Sequence, residues 1–410
     1  MMLLKWCVQT SLKWSVWIKP PFFSFLIFKF VRGKNMEHID TECIIDELEA
    51  HKGKTEDFKK KEVIKSFIAG IKKYGYYKPL IAPRKVTWDL TTRCNLLCQH
   101  CSNKELSYGE DLNTEQVLFV LKELKDFGIQ HISFSGGEPL LRGDIFEILK
   151  ETKELGIAIT LATNSTLVDA DTAFKLSQVG VDSIQTSVDG IGKIHDVFRG
   201  VSGAFDKAVR GIENLVKAGL TVVVTTTVTS LNCSEIEDVV DLCLKTGVYA
   251  YVINDLIPVG RGRDLFENRL TDEQYFTYAK YFAEKRSALQ GTLELLWGGV
   301  GTFEKKKKDS ERLIIQTRCL ACFHRFNIAA DGTVQPCNLL PLNAGNILTE
   351  SIEDIWVNSP IFVELRDRDS LKGKCGRCDY KYSCGGCRAR AYAVHKDYLA
   401  EDPRCQRCES

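Results

Sequence analysis

The sequence predicts an α/β fold, a series of strand–helix units building a parallel sheet, followed by a small cysteine-rich α+β domain. Three observations predict it. Six short β-like runs alternate with amphipathic helical patterns between residues 85 and 254. The alternation stops near residue 312, where short strands and cysteine-rich turns take over. The composition, 44% hydrophobic and 27% charged over 410 residues, is that of a globular chain able to bury a large core.

Residues 1–35 form a hydrophobic N-terminal segment. Within it, residues 1–31 are rich in Trp, Phe and Leu, but Lys5, Lys13 and Lys19 interrupt them and Pro20-Pro21 would end a helix. No apolar run there approaches the roughly 20 residues that a spanning helix needs. An interfacial anchor making peripheral membrane contact fits this pattern, and so does a hydrophobic hairpin over a barrel end. A third reading begins the chain at Met36. Residues 36–84 read as helical, with an apolar stripe through Ile44, Leu48, Val63, Phe67 and Ile71.

Residues 85–312 carry the strand–helix series. The strand-like runs are KVTWDL (85–90), HISFSG (131–136), AITLAT (158–163), SIQTSV (183–188), TVVVTTTV (221–228) and YAYVIN (249–254). Helical patterns such as 114–128 and 203–219 separate them. Right-handed crossovers then give a parallel sheet, as a partial barrel or an open sheet, with ligands at the carboxyl ends of the strands. The lysine run Lys305–Lys308 reads as a solvated loop before the change of texture. Residues 313–410 form the cysteine-rich domain, and no internal repeat is evident.

Immediately after the first strand comes DLTTRCNLLCQHC (89–101), with Cys94, Cys98 and Cys101 spaced C-x3-C-x2-C. A closed zinc or iron–sulfur site takes four ligands, so three thiolates point to an open coordination position. His100 lies between two of these cysteines, where it could hardly bind the same ion. The motif resembles that of the radical S-adenosylmethionine (SAM) enzymes, and further family elements follow in order over about residues 85–270.

SGGEP (135–139) is similar to the family's glycine-rich strand end, which implies that Gly136, Gly137, Glu138 and Pro139 meet the amino group of SAM. ATNST (162–166) with Asn164, and SVDG (187–190) with Ser187 and Asp189, resemble later strand ends that contact ribose and methionine. Arg199 in HDVFRG matches an arginine that binds the SAM carboxylate. IPVGRG (257–262), with Val259, sits where the adenine-contacting segment falls. The resemblance implies a partial (β/α)6 barrel and a [4Fe–4S] cluster that binds SAM. It also implies reductive cleavage to a 5′-deoxyadenosyl radical that abstracts a substrate hydrogen, the cofactor supplying the hard chemistry. No residue beyond that cluster is assigned a catalytic role; His195, Tyr249 and Tyr251 near strand ends read first as core or surface residues.

The chain has 16 cysteines, and nine of them follow residue 318. Many stand as C-x2-C pairs, poor disulfide partners and good metal ligands, equally suited by spacing to zinc. The set Cys375, Cys378, Cys384, Cys387 resembles the SPASM extension of radical SAM maturases. That implies two auxiliary [4Fe–4S] clusters, one on Cys319, Cys322, Cys337 and Cys387 and one on Cys375, Cys378, Cys384 and Cys405, with Cys408 able to replace Cys405. The first cysteines and the last spacing depart from the commonest pattern. Cys7, Cys43, Cys233 and Cys243 are isolated and read as packing residues.

The tail at 374–405 resembles those of radical SAM enzymes in haem-related pathways, where a propionate side chain loses carbon dioxide and an auxiliary cluster passes or accepts an electron. Similar tails occur in peptide and cofactor maturases, so a tetrapyrrole and a peptide are both substrate classes the resemblance implies. A non-enzymatic electron-transfer protein is the third reading, against which stand GGEP and Arg199, residues that serve SAM. A ferredoxin or flavodoxin is the implied reductant. A net charge of +1 gives no basis for nucleic-acid binding. Without a secretory signal, so many unpaired cysteines place the chain in a reducing cytoplasm, with membrane association through residues 1–31 as an addition to that reading.

Overall fold

In the computed structural model, the residues described are 83–102, 109–298, 301–306, 312–317, 319–382 and 384–405. The chain divides into two units, Met1–Ala82 and Pro83–Ser410. The expectations for the hydrophobic segment, the helical stripe, Met36, Cys7 and Cys43 fall in the first unit, outside the described residues; Cys408, in the second unit, is outside them too.

The second unit is built on one sheet. Its strands are β1 (Lys85–Asp89), β2 (His131–Ser135), β3 (Ala158–Ala162), β4 (Ser183–Ser187), β5 (Val222–Val228), β6 (Ala250–Asp255) and β7 (Glu294–Gly298), paired in that order and all parallel. A hairpin, β8 (Gly301–Lys306) with β9 (Arg312–Thr317), stands apart from it. Then β10 (Arg325–Ile328) pairs in parallel with β1, and β11 (Thr333–Gln335) and β12 (Gly345–Asn346) extend that edge antiparallel. The six expected strands are present within a residue or two of their expected ends. The sheet is a partial barrel that does not close, β7 and β12 being its edges.

Three findings go beyond expectation or correct it. A seventh parallel strand, β7, follows the sixth. The C-terminal segment contributes β10 to the same sheet, beside β1. Lys305 and Lys306 lie in β8, opposite Leu313 and Arg312, rather than in a loop; Lys307 and Lys308 are outside the described residues. Of the isolated cysteines, Cys233 and Cys243 are buried, as packing residues should be.

Alternation along the strands explains the layers. Val86, Trp88, Ile132, Phe134, Ile159, Leu161 and Ile184 are completely buried on one face. The opposite face carries Thr87, Asp89, Ser133, Ser135, Thr160, Ser183, Gln185 and Ser187, a polar inner surface. Helices follow the strands. The first, α1 (Thr114–Phe127), starts at an Asn113–Gln116 capping box and ends at the left-handed Gly128. It buries Val117, Val120, Leu121 and Leu124, the i, i+3, i+4, i+7 stripe that its sequence shows.

Candidate active site

The loop after β1 is held from three sides. Thr91 and Thr92 anchor its start on Asp111: Thr91 Oγ1 donates to Oδ2 at 2.5 Å, and Thr92 N and Oγ1 both donate to Oδ1 at 3.0 Å. The glycine-rich end of β2 packs directly against it, with Gly137 N donating to Thr91 O at 2.7 Å and Glu138 N to Arg93 O at 2.8 Å. A Cβ on Gly137 would stand 2.5 Å from the carbonyl carbon of Arg93 and closer still to its oxygen. The close approach that these glycines permit is therefore that of the cysteine loop's own backbone. On the far side, Leu97 N and Gln99 N donate to Arg199 O and Phe198 O at 2.9 and 2.8 Å. Arg261 completes the clamp, its N donating to Cys101 O at 2.9 Å and its Nε to Cys98 O at 2.7 Å.

Glu138 is fully buried and has no free oxygen. Oε1 accepts from Leu140 N (3.1 Å) and Thr163 Oγ1 (2.7 Å), and Oε2 accepts from Asn164 N (2.7 Å). Burial pushes its pKa up against these three donors. The carboxylate thus fixes the end of β3 relative to the end of β2. Pro139 is buried and opens a short 3₁₀ turn, Pro139–Leu141. Asn164 Nδ2 donates to Asn95 Oδ1 within the cysteine loop at 2.8 Å. Ser187 Oγ pairs with Thr225 Oγ1 at 3.3 Å. Val259 is buried at the start of the turn that carries Arg261.

Asp189 and Arg199 form a buried ion pair, Arg199 Nη2 to Asp189 Oδ2 at 2.6 Å. Arg199 Nη1 also points at Cys98 Sγ, 3.6 Å away. Asp189 Oδ1 accepts from Thr227 N at 3.0 Å, and its backbone N donates to His195 Nδ1 at 3.1 Å. His100 Nε2 lies 3.9 Å from Asp189 Oδ2. Burial raises the Asp189 pKa, but Arg199 and then His100 outweigh it and hold the carboxylate below its usual range. Burial lowers both His100 and His195 to about 4, so each is neutral at pH 7. Tyr251 and His195 are core residues and Tyr249 is exposed.

Cys94, Cys98 and Cys101 share one loop; burial raises the pKa of Cys94 and of Cys98, and the neighbouring thiols Cys98 and Cys101 add to it at Cys94, as Cys101 does at Cys98. Three thiols on one loop beside a guanidinium suit three corners of an iron–sulfur cube. Among the described residues no three His, Cys, Asp or Glu side chains stand close enough for a single metal ion. Cysteines of a cube each bind a different iron and need not.

The C-terminal cysteines fall into two neighbourhoods. Burial drives the pKa of Cys322 well up and that of Cys337 to about 12; Cys319 acts on both, and Cys387 on Cys337. Burial also raises Cys375, whose thiol neighbour is Cys405. Cys319 N donates to Cys384 O at 3.3 Å, so the two neighbourhoods adjoin. Cys378 is half-buried, and its Sγ accepts from Tyr380 N at 3.4 Å.

Sequence reasoning missed Arg261, Asn95 and Thr163, whose roles are to hold the loop and the ends of β2 and β3. Arg261 lies inside the quoted IPVGRG, and only its three-dimensional proximity to Cys98 and Cys101 reveals the clamp. It also missed Arg366 and Arg368, which no spacing marks.

Comparison with known proteins identifies the site. Residues 88–243 match the radical SAM superfamily, and residues 319–379 match SPASM, an iron–sulfur cluster-binding domain. An AdoMet-dependent heme synthase of Methanosarcina barkeri is 38% identical over 79% of this chain and 96% of its own. The mycofactocin maturase MftC of Mycobacterium tuberculosis is 29% identical over 80% of this chain and 84% of its own. The crystal structure of Streptococcus suis SuiB bound to S-adenosylmethionine shares the fold, with a TM-score of 0.64, 19% identity, and coverage of 85% of this chain and 82% of that one. Three cysteines on one clamped loop at the carboxyl end of β1, backed by these relatives, establish that the chain belongs to the radical SAM superfamily, an enzyme that binds SAM and a [4Fe–4S] cluster and carries an auxiliary iron–sulfur domain.

Proposed function

We propose that this enzyme acts on a propionate side chain of a tetrapyrrole, removing one hydrogen and then carbon dioxide to leave a vinyl group. The observation that carries this reading is the 38% identity to an AdoMet-dependent heme synthase across nearly all of that protein. The bound cluster and SAM supply a 5′-deoxyadenosyl radical. This chain's own residues do the rest. Cys94, Cys98 and Cys101 would hold three irons. The ends of β2, β3 and β4, with Gly136, Gly137, Pro139, Asn164 and Ser187, line the space beside them.

Arg199 points its guanidinium at Cys98 of this loop from a buried pair with Asp189. It suits a carboxylate ligand such as that of SAM, exchanging partners with Asp189. Glu138 and Val259, both buried, support the walls from behind. Cys319, Cys322, Cys337 and Cys387 would hold one auxiliary cluster, and Cys375, Cys378, Cys384 and Cys405 a second. The proposed domains are 85–312 and 313–410; their boundary falls within β9, and β10 of the second pairs with β1 of the first. Loss of a carboxylate after loss of hydrogen leaves one surplus electron, so the reaction needs an acceptor, and its start needs a ferredoxin or flavodoxin as donor. A reducing cytoplasm suits both. Among the described residues no helix is long and apolar enough to cross a membrane.

The test is anaerobic. The reconstituted protein is reduced with SAM, with and without an iron–coproporphyrin, and deoxyadenosine, carbon dioxide and the porphyrin mass are followed. Carbon dioxide released in step with deoxyadenosine supports the reading. Deoxyadenosine with an unchanged porphyrin refutes it and turns attention to a peptide, the substrate class of maturases.

A further inference from the structure

Two arginines, Arg368 buried and Arg366 half-buried, stand beside the first auxiliary set of cysteines with too few partners. Arg368 is 3% exposed, yet among the described residues its Nε and Nη1 have no hydrogen-bond partner; Nη2 donates to Cys319 O at 3.4 Å. Its guanidinium lies over the Phe323 ring at 4.6 Å. Arg366 donates from Nε to Cys322 O at 2.7 Å and stacks on Trp356 at 4.3 Å, while its Nη2 is also buried and unpartnered.

Nearby carboxylates serve other groups. Asp367 accepts from Asp369 N and Ser370 Oγ, and Asp369 pairs with Lys381 at 2.9 Å and with the Tyr382 hydroxyl. A buried charge with unmade hydrogen bonds is costly unless opposite charge stands close. Gly385 makes the room: its φ is +72°, and a Cβ there would lie 2.9 Å from Arg368 Nε and closer still to Nη1.

Opposite charge is what the neighbouring cysteines provide once they bind iron. Four thiolates around a [4Fe–4S] cube leave it negative, and each added electron makes it more so. The second set is balanced differently. Arg388 there spends its hydrogens on the Tyr398 and Ala400 carbonyls and on Cys375 Sγ, whereas Arg390, which stands beside Cys387 of the first set, is already neutralised by Asp402.

From this contrast, and resting on the auxiliary-cluster reading above, we infer that Arg368, assisted by Arg366, is a positioning residue that raises the reduction potential of the cluster on Cys319, Cys322, Cys337 and Cys387. The fixed positive charge favours the reduced, more negative state, and the free N–H groups are available to its sulfurs. That would poise this cluster for a surplus electron released by the substrate.

The test is a redox titration followed by electron paramagnetic resonance on the full-length, three-cluster protein, comparing wild type with Arg368→Gln and Arg368→Lys. In Arg368→Gln one auxiliary cluster should be at least tenfold less reduced at a fixed potential, a shift of about 59 mV for a one-electron couple. The SAM-binding cluster and the other auxiliary cluster should keep their potentials, and Arg368→Lys should stay near wild type. Three unchanged potentials in Arg368→Gln overturn the inference, and so does an equal fall in Arg368→Lys, because charge would then not be the cause. If Arg368→Gln fails to retain its iron, Arg366→Gln carries the same expectation, and an unshifted potential there overturns it. A wild-type protein that holds only about four irons instead of about twelve would refute the auxiliary clusters themselves, a separate outcome.

Discussion

Replacing Gly137 with alanine should unseat the cysteine loop. The new Cβ would sit 2.5 Å from the Arg93 carbonyl carbon, where real Cβ contacts are essentially never under 3.0 Å. Both partners are backbone, so no side chain can swing away and the two segments must part by about an ångström. Two hydrogen bonds cross that contact, Gly137 N to Thr91 O at 2.7 Å and Glu138 N to Arg93 O at 2.8 Å. An ångström takes both beyond hydrogen-bond range, about 1 kcal/mol each. Overpacking adds about 1–3 kcal/mol, for a total of about 3–5 kcal/mol. Gly143→Ala is the control, since nothing lies within 4 Å of its would-be Cβ. Anaerobic urea unfolding and iron counts on both variants read the outcome. Gly137→Ala should lose several kcal/mol and its SAM-binding cluster, while Gly143→Ala should keep both. A Gly137→Ala protein within about 1 kcal/mol of wild type, with full iron, would refute the reasoning.

Asp189→Asn leaves Arg199 buried without its 2.6 Å partner, a change of the kind that costs about 3–5 kcal/mol; urea unfolding checks it, and a loss under 1 kcal/mol would show that Arg199 has another counter-charge. Asp89 offers a pH test, because burial lifts its pKa from 3.8 to about 6 against donors from Asn327 and Ser135. The folded state then binds the proton more tightly than the unfolded chain. Its stabilising contribution is complete below about pH 4 and is lost as pH rises through 6, about 3 kcal/mol in all at 1.36 kcal/mol per unit. Asp89→Asn escapes this loss, so its stability relative to wild type should grow by roughly 1.4 kcal/mol between pH 5 and 7.5. A flat difference across that range sinks the argument.

What could be read from the sequence was what depends on local pattern. The six strands of the core each carry enough apolar residues for their burial to show as a run, and α1 carries a complete stripe and both caps. The cysteine loop was legible because its chemistry requires a fixed spacing. One parallel strand escaped: β7, ELLWG, lies beyond the point where the alternation was followed. β10 falls in FNIAADGTVQPC, which reads as short strands, but its place in the sheet was not legible. Pairing β10 with β1 is a contact over more than two hundred residues, which no window along the chain contains. Glu138 shows the same limit from the other side. Its position in GGEP was plain, but whether its oxygens face a ligand or hold Thr163 and Asn164 depends on where the end of β3 lies.

The β1–β10 pairing gives the two halves of the chain a mechanical relation. Register sets Thr87 opposite Asn327, and Asn327 Nδ2 donates both to Asp89 Oδ2 at 3.2 Å and to Gln335 Oε1 on β11 at 3.1 Å. All three side chains are buried. Asp89 stands five residues before Cys94, and Gln335 two residues before Cys337. A buried polar link of this sort holds its members in one geometry, because a slip of either strand would strand a carboxylate or an amide without partners. The loop of Cys94, Cys98 and Cys101 and a cysteine of the C-terminal set are therefore fixed to a common seam of the sheet. The distance between them is set by strand register, so the C-terminal segment is structurally a continuation of the barrel wall.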